Sequence, residues 1–90
     1  MARFIAVHSL TWTEEYIKGL LETYRKEPPQ MPPGIALHYT WCDFGSGKFV
    51  CEWEGPSKEA IEQTLKAMET PVEAVYPVRR LDWAKLALEA

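Results

Sequence analysis

The chain has little cysteine. Cys42 and Cys51 are the two in 90 residues, nine positions apart. That spacing excludes a C-x-x-C site, and two cysteines are too few for a disulfide scaffold. Basic charge is also in short supply. Lys and Arg number 10 against 13 Asp and Glu, a formal net charge of −3, and the pI is about 5.3. Nucleic-acid binding calls for clustered Lys and Arg, and Arg79-Arg80 is the only adjacent Arg pair. No nucleic-acid partner is expected. Long apolar runs are missing too. Nothing approaches the roughly 20 residues of a membrane span, so no membrane association is expected. The start, MARFIAVHSL, lacks the long apolar region and small-residue cleavage site of a signal peptide. A cytoplasmic protein is the expectation. No internal repeat or low-complexity segment is evident.

Aromatic residues are plentiful by contrast, with four Trp and four Tyr in this short chain. Such side chains need apolar cover with a polar outlet, as in a ligand pocket or a subunit interface. The length suits one domain over residues 1–90. A domain this small buries a modest fraction of its surface, and self-association is a common remedy.

The stretch Ile35 to Pro56, IALHYTWCDFGSGKFVCEWEGP, is the centre of the sequence. It reads as two strands joined by a Gly-Ser-Gly turn. A two-residue Gly45-Ser46 turn would pair Cys42 with Phe49, Thr40 with Cys51 and His38 with Trp53. One face would then carry His38, Thr40, Cys42, Phe49, Cys51 and Trp53. The other would carry Leu37, Tyr39, Trp41, Lys48, Val50 and Glu52. A one-residue slip would exchange these faces.

The flanking segments read as support. Residues 3–9, RFIAVHS, form a strand with Phe4, Ala6 and His8 on one face and Ile5 and Val7 on the other. A helix follows to about Lys26. Its N-cap is Thr11, in a capping box with Glu14, or Thr13, with Trp12 stapled on Ile17. Ile17, Leu20, Leu21 and Tyr24 form its buried stripe, and Gly19 marks close contact with the sheet. Pro28, Pro29, Pro32 and Pro33 make a stiff connector. Ser57 caps a second helix whose buried stripe is Ile61, Leu65 and Met68. Thr70-Pro71 ends it. Val72 to Arg80 form a fourth strand, which Pro77 assigns to an edge or a bulge. Asp82 caps a short final helix, DWAKLALEA.

The order βαββαβ plus a tail helix is the split βαβ arrangement. The fold expectation is therefore α+β: a ferredoxin-like four-stranded antiparallel sheet with two helices on one face and a short C-terminal helix. The other sheet face still carries bulky apolar groups. Covering it with a second copy gives a homodimer, a dimeric α+β barrel.

The run from Gly47 to Ile61, GKFVCEWEGPSKEAI, resembles the segment G-K-x-F-C-x-x-E-A-P-S-x-E-A of a family of small bacterial proteins. Cys51, Glu54 and Pro56 match that pattern, whereas Val50 stands for its Phe and Gly55 for its Ala. Many relatives carry a His near the end of the second helix, where this chain has Met68-Glu69-Thr70. The resemblance implies a dimeric ferredoxin-like barrel. It also implies a link to nickel, since at least one member of that family is a nickel-binding protein.

Three kinds of chemistry suit these residues. His8, His38 and Cys51 are ligand types for nickel or another divalent transition metal, with Cys42, Asp43 and Glu52 as further donors. No tight ligand spacing links them, and the plainer reading is small buried cysteines and hydrogen-bonded histidines. Tyr39, Trp41 and Glu52 share a face and suit a small-molecule site, with Glu52 as a general base beside His8. The plainer reading there is subunit core. Third, Cys51 with a His would form a thiolate pair, but a strand cysteine has no helix N-terminus to activate it. The expected function is a homodimer that binds a metal ion or a small ligand. A small-molecule monooxygenase or isomerase, or a plain assembly module, is the alternative.

Overall fold

The computed structural model describes residues 2–89, so the two end positions of the expected domain, Met1 and Ala90, lie outside it. Strand β1 spans Ala2–Ser9, helix α1 Glu14–Lys26, β2 Ala36–Asp43, β3 Lys48–Gly55, α2 Lys58–Ala67 and β4 Ala74–Val78. The four strands form one antiparallel sheet in the order β2-β3-β1-β4. The chain is thus α+β, with two helices and a sheet order compatible with the ferredoxin-like fold.

Strand alternation sorts β1 as its sequence requires. Phe4, Ala6 and His8 are buried, while Ile5 and Val7 are half-buried on the opposite face. Phe4 stands opposite Trp53, Ala6 opposite Cys51 and His8 opposite Phe49. These side chains make up the inner face. The core adds Ile35, Val75, and Ile61 and Leu65 from α2.

Helix α2 is built as read. The Ala60 amide donates to Ser57 Oγ at 3.1 Å, and Ile61, Thr64 and Leu65 are buried. Met68 is not in that stripe; it is the C-cap and 37% exposed. Beyond it Glu69 adopts φ 55°. Its amide bonds to Lys66 O and that of Thr70 to Leu65 O, both at 3.0 Å. That is the Schellman closure of a helix C-terminus.

Helix α1 departs from expectation. Thr13, not Thr11, is the cap, accepting from the Tyr16 amide at 3.1 Å. The helix buries no residue. Leu21 is 46% exposed, Ile17, Leu20 and Tyr24 are half-buried, and a Cβ at Gly19 would meet nothing within 4 Å. The stripe is present but the sheet does not cover it. Helical periodicity tells which side is apolar; it does not tell what packs there. Trp12, just before the helix, packs at 5.6 Å from both Tyr16 and Phe49 (ring centroids).

The expected C-terminal helix is replaced by a two-stranded hairpin of β5 (Leu81–Asp82) and β6 (Ala87–Leu88). Asp82 does accept an amide bond, from Lys85 at 3.1 Å. Leu86 then turns to φ 50°, which no helix continues. The Glu89 amide closes back on Arg80 O at 2.8 Å. So short a helix had nothing to dock on, and strand pairing satisfies its backbone instead.

Candidate functional site

The outer sheet face is the one that neither helix covers. The β2–β3 hairpin supplies most of it, and its register explains why. Cys42 pairs with Phe49 and Thr40 with Cys51, matching the sequence expectation, and Tyr39 pairs with Glu52. The expected two-residue Gly45-Ser46 turn is instead a four-residue loop, Phe44–Gly47: strand pairing stops at Asp43 and Lys48, and the Gly47 amide closes the loop on Asp43 O at 2.9 Å. The Asp43 carboxylate accepts from the Gly45 and Ser46 amides and from Ser46 Oγ. Those bonds, the Ser46 hydroxyl first, hold the Asp43 carboxyl below its usual range.

Beyond Tyr39 the register shifts. Leu37 pairs with Trp53 and Ala36 with Glu54, leaving His38 as the extra residue of a bulge. The expected pairing of His38 with Trp53 is therefore wrong. The bulge brings the ring to Glu54, with His38 Nε2 3.1 Å from Glu54 Oε1. Glu54 alternates with Glu52 on the outer face, so His38 joins the same face as Glu52, Tyr39 and Trp41.

At the centre of this face Arg3 Nη1 donates to Glu52 Oε2 at 2.8 Å. The Glu52 side chain is 9% exposed and that of Arg3 30%. Around the pair, Tyr39, Trp41 and Tyr76 are 63%, 56% and 54% exposed. The rings of Tyr39 and Trp41 lie 5.9 Å apart. Arg3 was missed as a site residue, although its alternation with Phe4 already placed it on this face.

His8 lies elsewhere. It is 1% exposed on the inner face, opposite Phe49. A carbonyl can only accept, so Nδ1–H donates to Pro71 O at 2.6 Å. Nε2 is left buried without a partner. Glu52 and His8 thus occupy opposite sheet faces and do not form the expected base pair of groups. Cys51 is also on the inner face, where its thiol accepts from Thr40 Oγ1 at 3.2 Å. Burial pushes that thiol up from its ordinary range, which disfavours the thiolate. His8, His38 and Cys51 are not brought together. Among the described residues no group of three or more His, Cys, Asp or Glu is arranged to hold a metal ion. A shallow groove of about 220 Å³ lies between Pro32-Pro33 and α2, lined by Ile35, Pro56 and Thr64, and touches neither His8 nor Glu52.

Comparison with solved structures finds a match to SCO4226 from Streptomyces coelicolor A3(2), known from a crystal structure. The TM-score is 0.63 and the identity 23%, covering 86% of this chain and 95% of that one. At that identity the likeness shows the fold alone. No family model matches the chain, and no curated protein does. Among the described residues no helix is long and apolar enough to cross a membrane.

Proposed function

We propose that this chain works as a homodimer whose two outer sheet faces close on each other and hold a small ligand or a divalent transition metal ion between them. The observation that carries this reading is the uncovered face itself. A nearly buried ion pair, Arg3–Glu52, is ringed by half-open aromatic groups. A lone sheet face of that composition in water loses the burial that aromatic side chains supply, and a second copy restores it. A cytoplasmic setting, whose reducing poise would keep Cys42 and Cys51 as thiols, goes with this reading.

For a metal, the donors of one protomer do not suffice. Cys51 is the poorest fit, because its thiol is held protonated. His38 and Glu54 are the best, an imidazole and a carboxylate side by side on the face to be covered. A second copy doubles them to four N and O donors, a set suited to nickel or zinc. The likeness of Gly47–Ile61 to a family with a nickel-binding member points the same way. An enzyme that uses Glu52 and His8 together is not supported, since a sheet separates them.

The test is sedimentation equilibrium with elemental analysis of the purified protein. The reading expects a dimer that takes up nickel or zinc, and a His38→Ala variant that stays dimeric but loses metal. A dimer that holds no metal at micromolar concentrations leaves a small ligand as the occupant. A strictly monomeric protein overturns the reading.

A further inference from the structure

Among the described residues, the C-terminal hairpin carries the two most exposed large apolar side chains. Trp83 is 76% exposed and Leu86 81%, with Leu88 at 55% and Leu81 at 44%. The hairpin is nonetheless well built. Arg80 pairs with Glu89 at 2.9 Å, Arg79 Nε donates to Glu89 O at 3.2 Å, and Asp82 holds the Lys85 amide. Leu86 accepts a left-handed backbone conformation to complete the turn. What sets the hairpin apart is that its exposed Trp and Leu residues are gathered on one short element, and grouped exposed apolar side chains, unlike scattered single ones, mark interaction surfaces.

The whole chain has surface to spare. Its accessible area is 6585 Å², whereas a folded monomer of this mass exposes roughly 5,400 Å². The excess of about 1,200 Å² is more than the ~800 Å² that each partner contributes to a standard interface. The radius of gyration tells the same story, at 14.0 Å against about 12 Å for a compact chain of this length. Elements that stand off the core account for both departures.

We propose that the β5–β6 hairpin is an arm that packs its Trp83–Leu86 tip on a second copy of this chain. The proposal rests on the homodimer reading and adds to it the segment that clasps the partner. A second copy is the occupant because it answers two needs at once. Each protomer brings one uncovered arm and one uncovered aromatic face, and a two-fold pairing covers both twice.

The test uses the full-length protein and compares dimer dissociation constants by sedimentation equilibrium. W83S/L86S is expected to weaken the dimer roughly a hundredfold or more, with an unchanged circular dichroism spectrum. Leu86→Gly separates docking from folding. Glycine relieves the positive φ, so it leaves the chain at least as stable while still weakening the dimer. If wild type is dimeric and both variants dissociate within about threefold of it, the arm is refuted and the homodimer stands. If wild type is monomeric even at high concentration, both fall. A wild-type monomer that binds lipid vesicles through Trp83 would likewise overturn the arm, assigning the tip to a membrane surface.

Discussion

Gly47→Ala is the most sharply determined perturbation of this fold. Gly47 closes the β2–β3 turn with φ +73°, and a Cβ built there would lie 2.8 Å from Leu10 O, a backbone atom. The left-handed conformation costs an L-residue about 1–2 kcal/mol. The clash has no cheap relief. Leu10 cannot retreat without loosening its own amide bond to Gly47 O, now 2.9 Å long, which contributes about 1 kcal/mol. The expected loss is therefore about 2–3 kcal/mol, a large share of the stability of a small domain. Urea unfolding followed by circular dichroism reads it as a midpoint lower by roughly 2 M, with the slope unchanged. Gly45→Ala is the internal control. Its Cβ would sit 3.4 Å from Asp43 Oδ1, an ordinary contact, so its effect stays within about 0.5 kcal/mol. Protein concentration must be the same throughout, because the proposed self-association would add to apparent stability. Should the two alanine variants unfold within about 0.5 kcal/mol of each other, the steric argument at Gly47 is refuted.

Three further outcomes are expected. Glu69→Gly places the preferred residue at the left-handed position that ends α2, and raises stability by about 1 kcal/mol in the same urea assay; a loss would refute the Schellman assignment. Arg3→Ala strands the Glu52 carboxylate and destabilises by about 1–3 kcal/mol, less than for a fully buried pair because Arg3 is partly solvated. The double change Arg3→Ala/Glu52→Leu should recover part of that, and a double variant as unstable as the sum of the singles would show that the groups do not interact. Thiol labelling at pH 8 should modify exposed Cys42 quickly and buried Cys51 slowly. The Cys51 rate should climb further as pH rises past 9.0, the ordinary thiol value, because its pKa is raised by burial; equal rates at pH 8 would contradict its placement.

Legibility in the sequence followed how local each signal was. Ser57, Pro56 and the alternation of Phe4, Ala6 and His8 are rules of neighbouring residues, and the structure obeys them. The pairing of Cys42 with Phe49 and of Thr40 with Cys51 was readable for the same reason: a hairpin centred on Gly45-Ser46 counts it out, and the wider Phe44–Gly47 loop keeps the same centre. The bulge at His38 was not, since an extra residue on one strand leaves no mark in composition. Its consequence was the largest error at the site, the wrong face for His38. The cover of α1 was unreadable in another way. Ile17, Leu20 and Leu21 specify an apolar stripe, but packing partners are a property of the whole assembly. At the C-terminus, DWAKLALEA has good helix formers and a good cap. Propensity over so few residues is a weak prior, and hairpin closure through Arg80 and Glu89 overrides it.

The same bulge bears on how the protein behaves when crowded. A sheet of four strands has two open edges, and each is a row of free amides and carbonyls that a stray chain can extend into a fibril. Along β4 the row is interrupted by Pro77, which has no amide to offer. Along β2 it is interrupted by His38, where the register shifts and the strand bends. Neither edge offers an unbroken template. A chain with this much exposed aromatic surface can therefore meet its own copies face to face without also growing edge to edge. Deleting His38 would straighten β2 and remove that protection, and light scattering on concentration would read the resulting aggregation.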